Sequence, residues 1–408
     1  MQSTFITELQ IRHVRHLRNI EIPLSQTGRK NLVLTGKNGS GKTSVLDAIV
    51  SFLEYAMGEN PSEEECNFYI AHFQKELSKE AVTEEERRNE QKNKRNLLYW
   101  LDKQAKWNDG AIVKVTSLAD MKEKYLAGEF ILACFGDSRK IEVAECRNIE
   151  KIELKKFYTM KDKPSRELAK YLVNLKTTQA FALTEGDIGR ANEIKEWFQR
   201  FEHILRIIYD NESLHLEFNI ENFQFSICMD NRDKFDFNTM SMGYAAVFDI
   251  ISDLMMRMES RRNYDLEGIV LIDEIETHLH VELQKKILPI LTGLFPNLQF
   301  ILTTHSPFIL NSAANAVVYD LENHVLVEDG LTNLPYAGIV ESYFSVETLS
   351  LELEEKFRQY KELLRRPGLT PLDYAKLAEL ELYLDEVPDY LAVDFAEEYA
   401  RLKLEHHR

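Results

Sequence analysis

Four cysteines in 408 residues, at positions 66, 134, 146 and 228, form no Cys-x-x-Cys pair and no regularly spaced framework. A disulfide-stapled secreted scaffold is thereby excluded, and a reducing, cytoplasmic setting is expected. No charged segment followed by an apolar stretch opens the chain, and no apolar run reaches membrane-spanning length, so a soluble protein without a membrane partner is expected. Basic charge is scarce too: 50 Lys and Arg face 67 Asp and Glu, a formal net charge of −17. Coating a long stretch of nucleic acid requires a concentrated basic face, which this balance does not supply. The local run Arg87 to Arg95 follows Glu84-Glu85-Glu86 and reads as one solvated helix, with direct DNA contact as the alternative. Low-complexity linkers and internal repeats are also missing.

Against that background one segment stands out. Gly36-Lys37-Asn38-Gly39-Ser40-Gly41-Lys42-Thr43 fits the phosphate-loop pattern G-x-x-x-x-G-K-[ST] in full. It follows a short apolar run, Asn31 to Thr35, and precedes Val45, Leu46, Ile49, Phe52 and Leu53 at helical spacing, which is the strand-to-helix context the pattern needs. Glycines let the backbone wrap an anion, so that successive N–H groups and the positive helix end point at phosphates. Lys42 is expected to reach the β- and γ-phosphates of ATP, and the Thr43 hydroxyl to ligate Mg²⁺.

Three further segments supply the rest of such a site. Gly268 to Ile272 is a continuous apolar run, as in a strand buried on both faces of a parallel sheet, and it ends in Asp273-Glu274. Asp273 is expected to hold Mg²⁺ through water and Glu274 to polarise the attacking water. Gln299 to Pro307 reads as another buried strand followed by His305, placed to donate to a γ-phosphate oxygen. Asn238 to Tyr244 opens a helix whose Val247, Ile250, Ile251, Leu254, Met255 and Met258 are expected to form one apolar stripe. Ser241 and Gly243 at its N-terminus make a second anion site. Two copies facing head to tail would each press this helix onto the other's γ-phosphate.

The order of phosphate loop, Ser-x-Gly helix, Asp-Glu strand and Thr-Thr-His-Ser-Pro resembles the ABC ATPase superfamily in its RecF/SMC/OLD-like branch. Asp273 to His280, followed by Gln284 and Phe295-Pro296-Asn297, resembles that branch closely. So does the opening, where Phe5, Thr7, Leu9 and Ile11 and then Ile20, Ile22 and Leu24 alternate as in antiparallel strands. Two departures are present. The signature reads Met240-Ser241-Met242-Gly243-Tyr244, and the glutamine that links Mg²⁺ to the lobe boundary has two candidate positions, Gln179 or the turn from Cys134 to Arg139. His278 and His280 beside Glu274 and Glu276 allow a metal-cluster reading, but the resemblance explains them as the loop that packs against the partner subunit.

The resemblance implies an α/β P-loop NTPase fold: an ABC-type head with a mixed sheet over residues 1–335, a charged helical insertion at about 58–126, and a helical, partner-binding region at 336–408. It implies ATP and Mg²⁺ as cofactors, head-to-tail self-association, and a separately encoded effector, a nuclease or toxin, of the kind found in Septu, retron-associated or PARIS-type anti-phage defence. A RecF-like repair ATPase is the first alternative. A transporter subunit is the second, disfavoured by the divergent signature and its distance from Thr43. Folded as an antiparallel pair, the insertion would reach about 50 Å. Val325 to Glu328 resembles the start of a TOPRIM nuclease, but no later Asp-x-Asp follows it, and the chain is expected to turn helical from about Ile339.

Overall fold

The computed structural model describes residues 3–79, 83–139, 151–332, 351–366, 368, 370–385, 399 and 401–403. Cys146 and the helix expected from Ile339 to Ser350 lie outside them. The chain divides into two compact units, Met1–Leu334 and Pro335–Arg408.

The first unit opens with β1 (Ile6–Val14), β2 (Leu17–Pro23) and β3 (Asn31–Thr35), followed by α1 (Lys42–Met57), α2 (Glu63–Leu77) and α3 (Glu84–Asn108). Next come β4 (Ala111–Val115), α4 (Leu118–Ala127), β5 (Phe130–Phe135), α5 (Leu168–Glu185) and α6 (Ile188–Tyr209). The hairpin β6 (His215–Asn219) and β7 (Gln224–Cys228) leads to α7 (Met242–Glu259). Last are β8 (Glu267–Ile272), α8 (Val281–Leu294), β9 (Leu298–Thr303), α9 (Pro307–Ser312), β10 (Ala316–Asp320) and β11 (Val325–Val327).

Six of the strands form one mixed sheet in the order β11-β10-β3-β9-β8-β5, parallel throughout except for the antiparallel edge strand β11. Every residue of β3, β9 and β10 is buried, which is why their apolar residues run consecutively rather than alternating with polar ones. Val325 to Glu328 therefore begins no separate nuclease fold; Val325–Val327 completes this sheet. The opening hairpin joins β4 in an antiparallel sheet of order β2-β1-β4. Gln299, fully buried in β9, couples the two sheets. Its Oε1 accepts from the Ile6 amide at 2.7 Å and its Nε2 donates to the Ile6 and Lys30 carbonyls at 3.0 and 2.7 Å.

Two expectations need correction. The stretch 58–126 is not one helical insertion. The helical hairpin ends at Asn108, and Ala111–Val115 is β4, paired with β1. With 15 residues in α2 and 25 in α3, the arms reach only about 22 and 38 Å. Trp107 packs edge-on against Phe52 and Tyr55 and donates to the Pro61 carbonyl at 3.0 Å, which anchors the hairpin's base to α1. Thr83 and Glu86 form a capping box, so the acidic run occupies the first turn of α3 where the helix dipole favours negative charge. The basic run lies on the largely exposed surface that follows.

The second correction concerns α7, which carries no one-sided stripe. Every residue from Ala246 to Glu259 is buried, because the helix packs against the Pro164–Glu167 turn, α6, α8 and β5 on its different sides. Its polar side chains are matched internally. Asp249 accepts from Ser165 at 3.2 Å. Arg257 pairs with Asp253 at 2.6 Å and donates to the carbonyls of Leu132, Thr159 and Asp162, and Glu259 accepts from Trp197 at 2.9 Å. Such pairing is what allows charges inside a low-dielectric core.

In the second unit, Leu353, Phe357, Tyr360 and Leu363 of helix Leu351–Leu364 pack with Leu377, Leu380 and Leu384 of helix Pro371–Leu384 and with Tyr399. Among the described residues, no helix is long and apolar enough to cross a membrane.

Candidate active site

Because β10, β3, β9, β8 and β5 run parallel, their carboxyl ends share one edge of the sheet, the edge at which open α/β sheets bind ligands. The segment 36–43 leaves β3 there and enters α1. Gly36 has φ 132°, and a Cβ on it would lie 2.8 Å from Ser40 Oγ, so only glycine lets the loop close this tightly. Gly39 and Gly41 also have positive φ, at 88° and 100°. Lys37, Asn38, Gly39 and Thr43 are exposed, whereas Gly36, Ser40, Gly41 and Lys42 are buried. Lys42 Nζ donates to the carbonyls of Gly36 and Lys37 at 2.7 and 3.1 Å. Burial holds its ammonium below the usual lysine range, while the nearby carboxylates of Glu274, Glu276, Asp273 and Asp320 push the other way.

Asp273 and Glu274 follow β8. Thr303 at the end of neighbouring β9 brackets both: its Oγ1 donates to Asp273 Oδ1 and accepts from the Glu274 amide at 2.7 Å. Glu274 has φ 42°, an uncommon backbone state for a non-glycine residue. Arg139, at the end of β5 and buried, donates to the carbonyls of Asp273, Glu274 and Ile275 and so holds this turn from behind. Of the two candidate lobe-boundary positions, the turn ending at Arg139 is therefore the one against the acidic pair. Gln179 lies on α5 and donates to the Ala191 carbonyl of α6 at 3.3 Å.

His305 leaves β9 beside Glu276. Its Nδ1 lies 2.9 Å from Glu276 Oε1, and its amide donates to the same oxygen at 2.5 Å. Ser306 Oγ donates to Gln284 Oε1 at 2.6 Å, and Gln284 Nε2 donates to the Leu279 carbonyl at 2.7 Å, tying the His305 turn to the loop after β8. Behind the phosphate loop, Glu322 accepts from the Lys37 amide at 3.2 Å and pairs with its Nζ at 3.1 Å. Asp320, buried at the end of β10, accepts from the Glu322 amide at 2.8 Å.

The structure thus brings Lys42, Asp273, Glu274 and His305 to one sheet edge. Ser241 is not bonded into that group. It is exposed at the N-terminus of α7 with a hydroxyl that makes no capping bond, and a Cβ on Gly243 would lie 3.0 Å from the His278 carbonyl. The sequence assigned no role at this edge to Thr303, Asp320 or Glu322, and Glu276 entered only through the metal-cluster reading of His278 and His280. Thr303 was visible only as the small polar end of an apolar strand, and nothing local marks Glu322. His278 and His280 do not gather into a metal-ligand set with their acidic neighbours; among the described residues the set that gathers is His215, Glu217 and Cys228.

The residues at the edge suit a triphosphate and Mg²⁺. Ser40 Oγ is buried with no hydrogen-bond partner among the described residues, the glycine turn is a concave cradle, and the hydroxyl and carboxylate oxygens of Thr43 and Asp273 are hard donors.

The Glu276–His305 pair sets a pH window. Burial pushes the Glu276 carboxyl up, but hydrogen bonds from the His305 ring and amide outweigh it and leave the carboxyl below its usual range. The Glu276 hydrogen bond raises His305 above its ordinary 6.5, against the opposing effect of burial. The Glu276 contribution to stability is present above the unfolded carboxyl pKa and lost as pH falls through the lowered folded value. That of His305 is full below 6.5 and lost as pH rises through its raised folded value. NMR titration is expected to find the His305 midpoint above 6.5 and to find it lowered in Glu276→Gln. An unchanged midpoint in the variant would rule out the pairing.

Residues 155–311 match the family described as "AAA domain, putative AbiEii toxin, Type IV TA system", a span that contains Ser241, Gly243, Asp273, Glu274 and His305 but not the phosphate loop. The chain is 37% identical over 138 residues to "Septu protein PtuA" of Bacillus mycoides (strain KBAB4), covering 32% of this chain and 20% of that protein. It is 38% identical over 149 residues to "Retron Ec83 probable ATPase" of Escherichia coli, covering 34% of this chain and 27% of that protein. The similarity thus spans about a fifth to a quarter of these relatives' length. Among solved structures, the SMC head domain from Thermotoga maritima is similar at 13% identity over 77% of this chain and 94% of that one, with a TM-score of 0.36. Residues 155–311 thus match the AAA-domain family, and about a third of the chain is similar to ATPase-type proteins of the Septu and retron systems.

Proposed function

We propose that this protein binds ATP with Mg²⁺, hydrolyses it in a head-to-tail dimer, and uses the cycle to control a separately encoded nuclease or toxin in anti-phage defence. The observation that carries the catalytic part is the convergence of Lys42, Asp273, Glu274 and His305 on one sheet edge, with Thr303 and Arg139 fixing the acidic turn. The phosphate-loop amides and Lys42 bind and orient the β- and γ-phosphates. Thr43 and Asp273 hold Mg²⁺, which when bound neutralises charge developing on the phosphate oxygens. Glu274 accepts a proton from the attacking water, and His305, oriented through Nδ1 by Glu276, presents its other nitrogen to the γ-phosphate. Ser241 at the α7 N-terminus completes the neighbouring subunit's site. The Septu and retron names of the relatives support the defence role.

The test is a plaque assay on cells carrying this gene with its chromosomal neighbours. Phage titre is expected to fall by orders of magnitude, with protection lost in Lys42→Ala. Undiminished protection by Lys42→Ala would sink the ATP-driven reading. An effect confined to DNA-damage survival would favour the RecF-like alternative.

A further inference from the structure

We propose that the β6–β7 hairpin holds a divalent metal ion, Zn²⁺ by its donor chemistry, on His215, Glu217 and Cys228. His215 and Cys228 are directly opposed across the antiparallel pair, and Glu217, two residues along β6, projects from the same face. Their ligand atoms all lie within 4.8 Å of one another. His215 Nε2 is 3.7 Å from Glu217 Oε1. In a tetrahedral zinc site, N and O donors at about 2.0–2.1 Å from the ion sit roughly 3.3 Å apart, so small side-chain rotations close the cage.

The surroundings already orient two of the three donors. His215 Nδ1 lies 3.1 Å from the Ser213 carbonyl, which places the ring proton on Nδ1 and leaves the Nε2 lone pair for a ligand bond. Lys234 Nζ bonds Glu217 Oε2, turning Oε1 toward the histidine. Cys228 is buried, and its sulfur lies within 4.8 Å of the His215 and Glu217 ligand atoms. Coordination replaces the thiol proton, which passes to solvent, with a sulfur–metal bond. Thiolate, imidazole and carboxylate together favour Zn²⁺ over Mg²⁺ or Ca²⁺, and three protein ligands leave the fourth position to water. The bound ion would brace the hairpin from which the chain runs, through the Ile227–Phe235 bridge, to Ser241.

The full-length protein, stripped with chelator, is titrated with Co²⁺ and then Zn²⁺. A thiolate-to-cobalt charge-transfer band is expected, bleached by one equivalent of Zn²⁺ and absent in Cys228→Ser. His215→Gln, on an exposed side chain whose loss leaves the core untouched, is expected to weaken binding by at least about tenfold. If Cys228→Ser fails to fold, His215→Gln and Glu217→Gln decide the matter alone. No band in the native protein, a band that survives Cys228→Ser, or unchanged affinity in the exposed-residue variants overturns the site. A band lost instead in His278→Gln/His280→Gln overturns it as well.

Discussion

Glu274→Gln is expected to lower ATP turnover by about 10²- to 10⁴-fold, the range for loss of a positioned general base, while ATP binding stays intact. The amide keeps the shape of the side chain and removes only its capacity to take a proton from water. The backbone that holds residue 274 is untouched by the change. Its N–H donates to Thr303 Oγ1, its carbonyl accepts from the Arg139 guanidinium, and its φ is 42°. Lys42, Thr43 and Asp273 remain to bind the nucleotide, so ATP should accumulate on the enzyme and hold two heads closed on one another. Steady-state turnover and equilibrium ATP binding measure the two quantities separately. Turnover within about twofold of native, only about 0.4 kcal/mol in barrier, would remove Glu274 from its assigned role.

Mixing Lys42→Ala chains with Ser241→Arg chains is expected to restore ATPase activity where each variant alone has almost none. Lys42 sits inside its own loop, bonded to the Gly36 and Lys37 carbonyls, so its loss disables the site of the chain that carries the change. Ser241 is exposed at the N-terminus of α7, and its hydroxyl makes no capping bond within its own helix. An arginine there blocks whatever approaches that helix end without disturbing the buried residues from Ala246 onward. In a two-fold dimer formed by random pairing, half the dimers are mixed and each has one intact composite site, giving roughly a quarter of native turnover. Mixed dimers, separated by affinity tags, that stay inactive while both chains fold would contradict the head-to-tail arrangement.

The segments that were legible in the sequence are those whose signals are local. Leu32 to Leu34 is an apolar run that Thr35 and Gly36 follow, so strand, turn and helix could be placed without knowing what lies beside them. Gly268 to Ile272 and Phe300 to Leu302 are apolar runs of the same kind, and both lie in the parallel sheet. Ala111–Val115 was hidden because its five residues sit inside a charged, helix-rich stretch. What makes it a strand is pairing with β1, about a hundred positions earlier. The surroundings of α7 were hidden too: Asp249, Arg257 and Glu259 find Ser165, the Leu132 carbonyl and Trp197, all far along the chain.

Taken alone, the residues therefore determine a phosphate loop, an acidic strand end and a histidine strand end, because backbone conformation over five to ten residues follows from glycine placement and apolar periodicity. They do not determine the order β10-β3-β9-β8-β5, which sets the loop beside the histidine strand and the histidine strand beside the acidic one. Only that order lets Thr303 bracket Asp273 and Glu274, Arg139 reach behind them, and Glu322 hold Lys37 from across the sheet. Each of these contacts joins residues far apart in the chain. No local preference encodes them, and they exist because burying both faces of a parallel sheet leaves its carboxyl edge as the place where the loops meet.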